Sequence, residues 1–293
     1  HQLKENIEND LKTAMELQPL EVSIEKELSD VFAPYAPLSL AEGESSKKVR
    51  FIEAISEAID LSLQKYPDLI VMGQDIAEYG GAFKVTEGLV EKYGKQRIRN
   101  TPICESAIVG AALGLSLEGI KSIVEMQFAD FVSVAFNQIV NNLAKMHYRW
   151  GQNADVVVRM PTGAGVGAGP FHSQSNEAWF THVPGLKVVY PSNPADAKGL
   201  LMSSIDDPNP VLFFEHKGLY RKIEGEVFEG EYHIEIGKAH FVSNGEDATI
   251  ITYGMGVHWA KEYQLANPSV RLTILDLRTL APLDYEAIKE SVQ

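Results

Sequence analysis

The stretch "VRFIEAISEAIDLSLQKYPDLIVMGQD", residues 49–75, contains the pattern that decides the fold. In residues 49–68 apolar side chains recur at helical spacing among charged ones, which predicts an amphipathic helix. Residues 69–75 form a short apolar run that ends in Gly-Gln-Asp, which predicts a buried strand. A helix followed by a short buried strand is the repeating unit of parallel α/β sheets.

The same alternation continues along the chain. Further helices are predicted at residues 106–119, 132–148, 176–183 and 194–207. Further strands are predicted at residues 121–128, 155–160, 186–191 and 210–215. After a turn-rich stretch at 222–240, a second unit has predicted strands at 248–254 and 271–277 and predicted helices at 258–266 and 284–292. The pattern therefore predicts an α/β fold with a parallel sheet.

Three regions follow from these patterns: residues 1–48, 49–230 and 231–293. Residues 2–30 have leucines and an isoleucine near helical spacing, and residues 33–48 are rich in proline, glycine and serine, so we expect a helix and a linker. The alternative is that residues 1–48 are only a solvated arm. Because two strands cannot cover both faces of a parallel sheet, we expect 231–293 to be part of a larger domain.

The net charge and the cysteine count restrict the class of protein. The formal net charge is −14, which disfavours binding to nucleic acid or to anionic membranes. The single cysteine, Cys104, excludes an intrachain disulfide and is typical of a reducing compartment. The most apolar stretch, residues 106–120, is too short to span a bilayer, and we expect no signal peptide in the first fifty residues.

A glycine-rich stretch, "MPTGAGVGAGPFHSQS" at residues 160–175, follows a predicted strand. Gly163, Gly165 and Ala168 match G-x-G-x-x-A, but Pro170 interrupts the expected helix and no acidic residue ends the next strand. These features disfavour a nicotinamide or flavin site. A ligand-contacting loop with His172 as a titratable group remains, and a flexible loop with an incidental histidine is the alternative.

Glu105 is a carboxylate beside an apolar helix, in "TPICESAIVGAALG" at residues 101–114. A glutamate at a helix start is ordinarily a partner of the helix dipole. If its surroundings are apolar, desolvation raises its pKa and the carboxyl can act in acid–base chemistry near neutral pH. Gly110 and Gly114, four residues apart, predict a flat face for close helix packing in a core or a subunit interface.

Residues 49–293 resemble the beta-type chain of the thiamine-diphosphate-dependent decarboxylating component of 2-oxo acid dehydrogenase complexes. The matching motifs, in order, are "GQDIAEYGGAFKVTEGL", "RIRNTPICESAIVGAALG", "MQFADFVSVAFNQIVNNLAK", "HSQS", "HVPGLKVVYPSNPADAKGLL" and "DLRTLAPLD". The resemblance implies a transketolase-like, pyrimidine-binding α/β domain followed by the start of a transketolase C-terminal-like domain. Residues 1–37 resemble the last helix of the alpha-type chain, which implies a fused alpha–beta polypeptide.

The resemblance also implies roles for individual residues. Glu105 is similar to the glutamate that hydrogen-bonds the aminopyrimidine ring of thiamine diphosphate and promotes proton loss from its thiazolium ring. His172 is similar to the histidine that donates a proton or hydrogen bond to the substrate or to a lipoyl sulfur. Ile103, Gln127 and Phe131 correspond to residues that line the aminopyrimidine pocket, and plain core packing is the alternative for each. Phe131 stands where many relatives have tyrosine and offers no hydroxyl.

The resemblance implies metal ions as well. A structural potassium ion is expected near five residues: Val156, Val157, Ser204, Asp207 and Asn209. Magnesium and the diphosphate are held in this family by a Gly-Asp-Gly stretch followed by asparagine, which belongs to the alpha-type partner and does not occur here. Gln74 also departs from the family, whose members usually carry glutamate there, and this departure puts proton coupling between active sites in doubt.

Three functions remain open at this stage. The first is a half-site for oxidative decarboxylation of branched-chain 2-oxo acids such as 2-oxoisovalerate, with pyruvate and acetoin enzymes as rivals. The second is a non-catalytic assembly module, and the third is nicotinamide binding at the glycine loop. The resemblance implies an alpha-type region or chain, a second copy and a lipoyl-bearing acyltransferase as partners, in a bacterial cytoplasm or a mitochondrial matrix.

Overall fold

The computed structural model describes residues 1–19, 21–36 and 45–293. Its helices are α1 (Gln2–Glu16), α2 (Ile24–Ser29), α3 (Phe51–Lys65), α4 (Leu89–Tyr93), α5 (Glu105–Leu117), α6 (Met146–Trp150), α7 (Pro194–Asp206), α8 (Met255–Ala266) and α9 (Tyr285–Ser291). Its strands are β1 (Ser46–Arg50), β2 (Ile70–Gly73), β3 (Ile98–Asn100), β4 (Ser122–Glu125), β5 (Val156–Thr162), β6 (Lys187–Val189), β7 (Val211–His216), β8 (Glu224–Phe228), β9 (His240–Ser243), β10 (Ala248–Thr252), β11 (Leu272–Asp276) and β12 (Thr279–Ala281).

The main sheet has seven strands in the order β12-β6-β7-β5-β4-β2-β3. Six of them are parallel, and β12 joins the edge antiparallel to β6. This sheet confirms the predicted α/β class. A smaller sheet, β10-β11-β9, and a two-stranded ribbon, β1-β8, complete the strand pairing of the described residues.

Helices cover both faces of the main sheet. Val71, Ile123 and Val157 point toward α3 and α7 in one apolar cluster. Ile70 and Val124 alternate with them and point toward α5 in a second cluster. Because side chains alternate along a strand, continuous apolar runs are what a sheet buried on both faces requires.

Two predicted helices have a different form in the structure. Residues 129–150, predicted as a helix from 132 to 148, wind in turn as a 3₁₀ helix, a π-helix, a second 3₁₀ turn and α6. The changes of winding keep the apolar side chains of this segment in the second cluster. Residues 176–183 contain only the single 3₁₀ turn Glu177–Trp179, because the Asn176 side chain donates to the carbonyl of Ala129 and backbone bonds close tight turns.

The N-terminal region also differs from its prediction. The helix predicted at 2–30 is two helices, since α1 ends at Glu16 and the residue before Pro19 is disfavoured in helical conformation. Neither α1 nor α2 buries a side chain. The predicted linker lies partly at 37–44, outside the described residues, and its end, 46–48, belongs to β1, which pairs with β8 in the stretch predicted as turns.

Candidate functional site

Several residues around the predicted site lie where parallel strands end. Gln74 and Asp75 follow β2, Gln127 comes two residues after β4, and Gly163 follows β5 directly. The carboxyl ends of neighbouring parallel strands are where α/β sheets place their ligands. The topology therefore brings residues up to 89 positions apart in the sequence to the carboxyl ends of neighbouring strands, where we expect the site.

Glu105 opens α5 and is buried, with only 5% of its surface exposed. The Gln74 Nε2 donates a hydrogen bond to the Glu105 Oε1 at 3.1 Å. Among the residues that the structure describes, none hydrogen-bonds the Glu105 Oε2. A buried carboxylate with one satisfied and one available oxygen can accept a hydrogen bond from a ligand or donate one when protonated.

Two aromatic rings pack against His172, the second predicted catalytic residue. The ring of His172 lies 4.5 Å from that of Phe128 and 5.6 Å from that of Phe131, both edge to face. Its Nδ1 is buried without a hydrogen-bond partner in residues 1–19, 21–36 and 45–293. The histidine is thus held by ring packing, while one of its nitrogens stays available for a proton or a ligand.

Asp130 holds the backbone beside His172, and the sequence analysis did not single it out. Its Oδ1 accepts hydrogen bonds from the backbone N–H groups of Ser173 and Gln174, both at 3.1 Å. The available signal was an acidic residue inside the apolar motif "QFADF", the same kind of signal that identified Glu105. Asp130 therefore fixes the position of the loop that carries His172.

The predicted cofactor-contact residues divide into two groups. Phe131 packs on His172 and Phe128, and the Gln127 Nε2 donates to Asp75 Oδ2 at 3.2 Å, next to Gln74. Ile103 lies two residues before Glu105 and is 83% exposed. An isoleucine this exposed beside a buried carboxylate leaves an apolar surface for a ligand or another chain to cover.

A buried ion network links the carboxyl ends of the same parallel strands. The Arg159 guanidinium, fully buried in β5, donates to Glu125 Oε2 at 2.8 Å and to both carboxylate oxygens of Glu215 at 2.7 Å. Desolvation disfavours the charged form of Arg159, but the two glutamates outweigh it and raise its pKa. Burial likewise raises the pKa of Glu125, against the effect of Arg159. Charged residues inside the apolar motifs "DVVVRM" and "PVLFFE" were the signal for this network, which sequence analysis missed.

The residues predicted to bind potassium already have protein partners. Asp207 is ion-paired with Lys187, and its Oδ1 accepts from the Asn209 side chain at 2.8 Å. The Asn209 Oδ1 accepts from the backbone N–H of Ala33, and the Ser204 hydroxyl donates within α7. Val156 and Val157 lie in the ladder of β5 with β4. The Lys187 ammonium already supplies a positive charge at Asp207, and the potassium site stays a prediction.

The glycine loop does not open a helix. After β5 the chain passes through 163–169 into the short 3₁₀ turn Pro170–His172. Dinucleotide binding needs the N-terminus of a helix at this point, so the geometry disfavours it. Gly163 itself, at φ 82°, has no room for a side chain, because a Cβ there would lie 2.3 Å from the His216 ring.

Comparison with known proteins finds two domain families in the chain. Residues 47–222 match the transketolase pyrimidine-binding domain, and residues 237–293 match the transketolase C-terminal domain. The chain is 46% identical to the 2-oxoisovalerate dehydrogenase beta subunit of Bacillus subtilis, over 82% of this chain and 75% of that one. It belongs to the beta subunits of thiamine-dependent 2-oxo acid dehydrogenases.

Other members of this family are nearly as similar. The beta subunit of an acetoin:2,6-dichlorophenolindophenol oxidoreductase of Cupriavidus necator is 45% identical over 85% of this chain and 77% of its own. The pyruvate dehydrogenase E1 beta subunit of Bacillus subtilis is 41% identical over 84% and 77%. A solved structure titled split gene transketolase, inactive beta4 tetramer, has a TM-score of 0.66 at 25% identity and covers 83% of this chain and 76% of that chain.

This family uses thiamine diphosphate, and the match to a pyrimidine-binding domain over residues 47–222 agrees with that cofactor. No helix in the described part of the chain combines the length and the apolar character that a bilayer span requires. Within the same residues, no group of three or more histidine, cysteine or acidic side chains could hold a metal ion.

Proposed function

We propose that this chain is the pyrimidine-side half-site of a branched-chain 2-oxo acid dehydrogenase, which oxidatively decarboxylates 2-oxoisovalerate and passes the acyl group to a lipoyl domain. The observation that carries the proposal is Glu105, buried at the start of α5 with one oxygen bonded to Gln74 and the other available. His172 between two phenylalanine rings, with a buried and unpartnered Nδ1, supports it.

The residues present suit the cofactor that the family uses. Glu105, Ile103, Gln127 and Phe131 would hold thiamine diphosphate by its aminopyrimidine ring. When bound, the cofactor supplies the nucleophilic carbon and the electron sink that decarboxylation of a 2-oxo acid requires. Glu105 would exchange a proton or hydrogen bond with a ring nitrogen through its available oxygen. His172 would hold or deliver a proton at the substrate side of the site.

The half-site needs a partner. Ile103 is 83% exposed beside Glu105, and Phe171, the residue before His172, is 71% exposed. We expect an alpha-type region or chain to cover this surface and to supply the magnesium–diphosphate half of the site. We also expect a second copy to pack on the small-residue face of α5, where nothing lies within 4 Å of a Cβ placed on Gly114. A lipoyl-bearing acyltransferase would then receive the acyl group.

The choice of 2-oxoisovalerate over pyruvate and acetoin is the more specific part of the proposal. The 2-oxoisovalerate dehydrogenase relative is 46% identical and the acetoin relative 45%. Two phenylalanines, Phe128 and Phe131, beside His172 favour a substrate with a branched apolar side chain. The cellular compartment follows the source: a bacterial cytoplasm, or a mitochondrial matrix as in the relative from Dictyostelium discoideum, whose name includes "mitochondrial".

A turnover comparison tests this proposal. The full-length protein, assembled with its alpha-type region or chain, is assayed by dichlorophenolindophenol reduction with 2-oxoisovalerate, pyruvate and acetoin. Because each methylene in an apolar pocket changes discrimination by roughly 10-fold or more, we expect kcat/KM for 2-oxoisovalerate to exceed that for pyruvate by at least about 10-fold. A preference for pyruvate or acetoin would overturn the substrate assignment.

A non-catalytic assembly module is the second candidate. The similarity to a structure titled inactive beta4 tetramer favours it for this chain alone. If none of the three substrates is turned over in the presence of the alpha-type partner, with or without added thiamine diphosphate, this candidate is supported and the half-site is contradicted.

A further inference from the structure

A cavity of about 560 Å³ lies between the glycine-rich loop and α8. The loop contributes Ala164–Val166, the end of β7 and the chain after it contribute His216–Gly218 and Tyr220–Lys222, and α8 contributes Met255 and Trp259. Ser173 and Ser175, on either side of Gln174, add two hydroxyls to its wall. Residues from the 49–230 region and from the 231–293 region therefore bound the cavity, which is large enough for a small molecule.

Lys217 is the unusual residue of this cavity. It is 5% exposed, and its Nζ is buried without a hydrogen-bond partner in the described part of the chain. The ring of Phe128 lies 5.3 Å from the Nζ, and the nearby Asp130 has an unpartnered Oδ2. A buried ammonium without a bonded counter-ion is unfavourable, which indicates that a group absent from the protein itself completes the site.

We propose that Lys217 anchors a binding site for a small oxyanion, a carboxylate or a phosphate. The oxyanion would accept hydrogen bonds from the Lys217 ammonium and from the hydroxyl of Ser175, since the Ser173 hydroxyl already donates to the carbonyl of Gly169 at 2.8 Å. Arg221 and Lys222 give the rim of the cavity a positive charge in a chain whose formal net charge is −14. This proposal does not depend on the decarboxylase function.

Occupancy of this site is linked to protonation. Burial lowers the pKa of Lys217 to about 8, although Asp130 opposes the shift. Other titratable or charged groups around Lys217 are Asp130, His172, His216, Arg221 and Lys222. Burial and Lys217 lower the pKa of His216 to about 4, so this histidine stays neutral above pH 6. Because the oxyanion binds the ammonium form, its affinity falls as the pH rises above about 8.

Calorimetric titration of the full-length protein tests the proposal with three probes: inorganic phosphate, acetate and 2-oxoisovalerate. At pH 7 we expect saturable binding, and the tightest probe separates phosphate from carboxylate as the source. Lys217→Gln should weaken it at least about 10-fold, the usual effect of losing a charged hydrogen bond. Lys289→Gln removes the same charge from the exposed surface of α9 and should leave the affinity unchanged. With acetate, whose charge is constant, wild-type affinity should fall between pH 7 and pH 9.5.

A second variant keeps the test independent of ligand choice. If Lys217 lacks a counter-ion, Lys217→Met should match or exceed the wild-type Tm at pH 7 without added oxyanion. That difference should narrow above pH 8, because the wild-type lysine then loses its proton in the folded state. If Lys217 is instead paired with Asp130 through water, Lys217→Met lowers the Tm, and this result overturns the proposal. Equal binding by wild type and Lys217→Gln, or no saturable binding by any probe, also overturns it.

Discussion

The chemistry proposed for this chain depends on a single carboxyl group. Glu105 accepts a hydrogen bond from the Gln74 amide, at a position where the resemblance to the family implies a glutamate. Two buried carboxylates at this distance could not both ionise readily, whereas the Gln74 amide brings no second negative charge next to Glu105. Gln74 therefore makes Glu105 independent of a neighbouring acid.

Glu105→Gln keeps the shape of the side chain but removes its acid–base function. We expect turnover of the assembled enzyme to fall by about 10²–10⁴-fold, the usual range for a positioned acid–base group. The Tm should change little, since the Gln74 amide can still donate to a glutamine oxygen. Glu118→Gln, at the exposed end of α5, is the matched control and should keep normal turnover. Near-normal turnover of Glu105→Gln would contradict the assigned role.

At the scale of elements, three parallel strands are joined by one guanidinium. Arg159 of β5 links Glu125 of β4 to Glu215 of β7, and the Tyr220 hydroxyl donates to Glu215 at 2.6 Å. The ladder hydrogen bonds of these strands would form without Arg159, but their carboxyl ends would then hold two uncompensated charges. The network therefore fixes the carboxyl ends of these strands, which position Gly163 and Gln127.

Arg159→Met should lower the free energy of unfolding by about 3–5 kcal/mol, the usual cost of leaving a buried charge without its partner. Denaturant unfolding at pH 7 measures it. Arg271→Met is the control, because Arg271 pairs with Glu246 and Asp247 while 58% exposed, and surface pairs contribute only about 0–1 kcal/mol. Equal effects of the two substitutions would show that the network does not stabilise the sheet.

At the scale of the whole molecule, the C-terminal region is joined to the main sheet by more than its connecting chain. The short strand β12 pairs with β6, and the guanidinium of Arg278 makes two hydrogen bonds to the Asp196 carboxylate on α7. Ser192 adds a hydrogen bond to Asp276, whose pKa burial raises to about 6. The two regions that the family comparison separates thus share one sheet.

Arg278→Ala should loosen this junction, because Asp196 is then buried without its partner. We expect amide exchange in β10–β12 to become at least about 10-fold faster, equivalent to roughly 1.4 kcal/mol of local stability, with little change in β2, β4 and β5. Hydrogen–deuterium exchange by mass spectrometry measures this difference. Arg278→Lys keeps the charge and should show a smaller effect. Equal acceleration in both regions would contradict a local junction.

The amino-acid sequence by itself determined the alternation of helices with β2, β4, β5, β6, β7, β10 and β11, and it placed a glutamate at the start of α5. Those features depend on local patterns: apolar runs of strand length, helical periodicity, and an acid beside small apolar residues. The same local patterns mispredicted 132–148 and 176–183, where contacts with the second apolar cluster and with Ala129 selected tighter or wider turns.

Only the tertiary structure decided which polar groups meet. Arg159 finds its glutamates 34 and 56 residues away, and β12 pairs with a strand about ninety residues earlier. The Lys217 ammonium lacks a hydrogen-bond partner among the described residues because the fold brings no acceptor within reach of it. Burial and partnership are properties of contacts between distant segments, so a pattern of neighbouring residues cannot specify them.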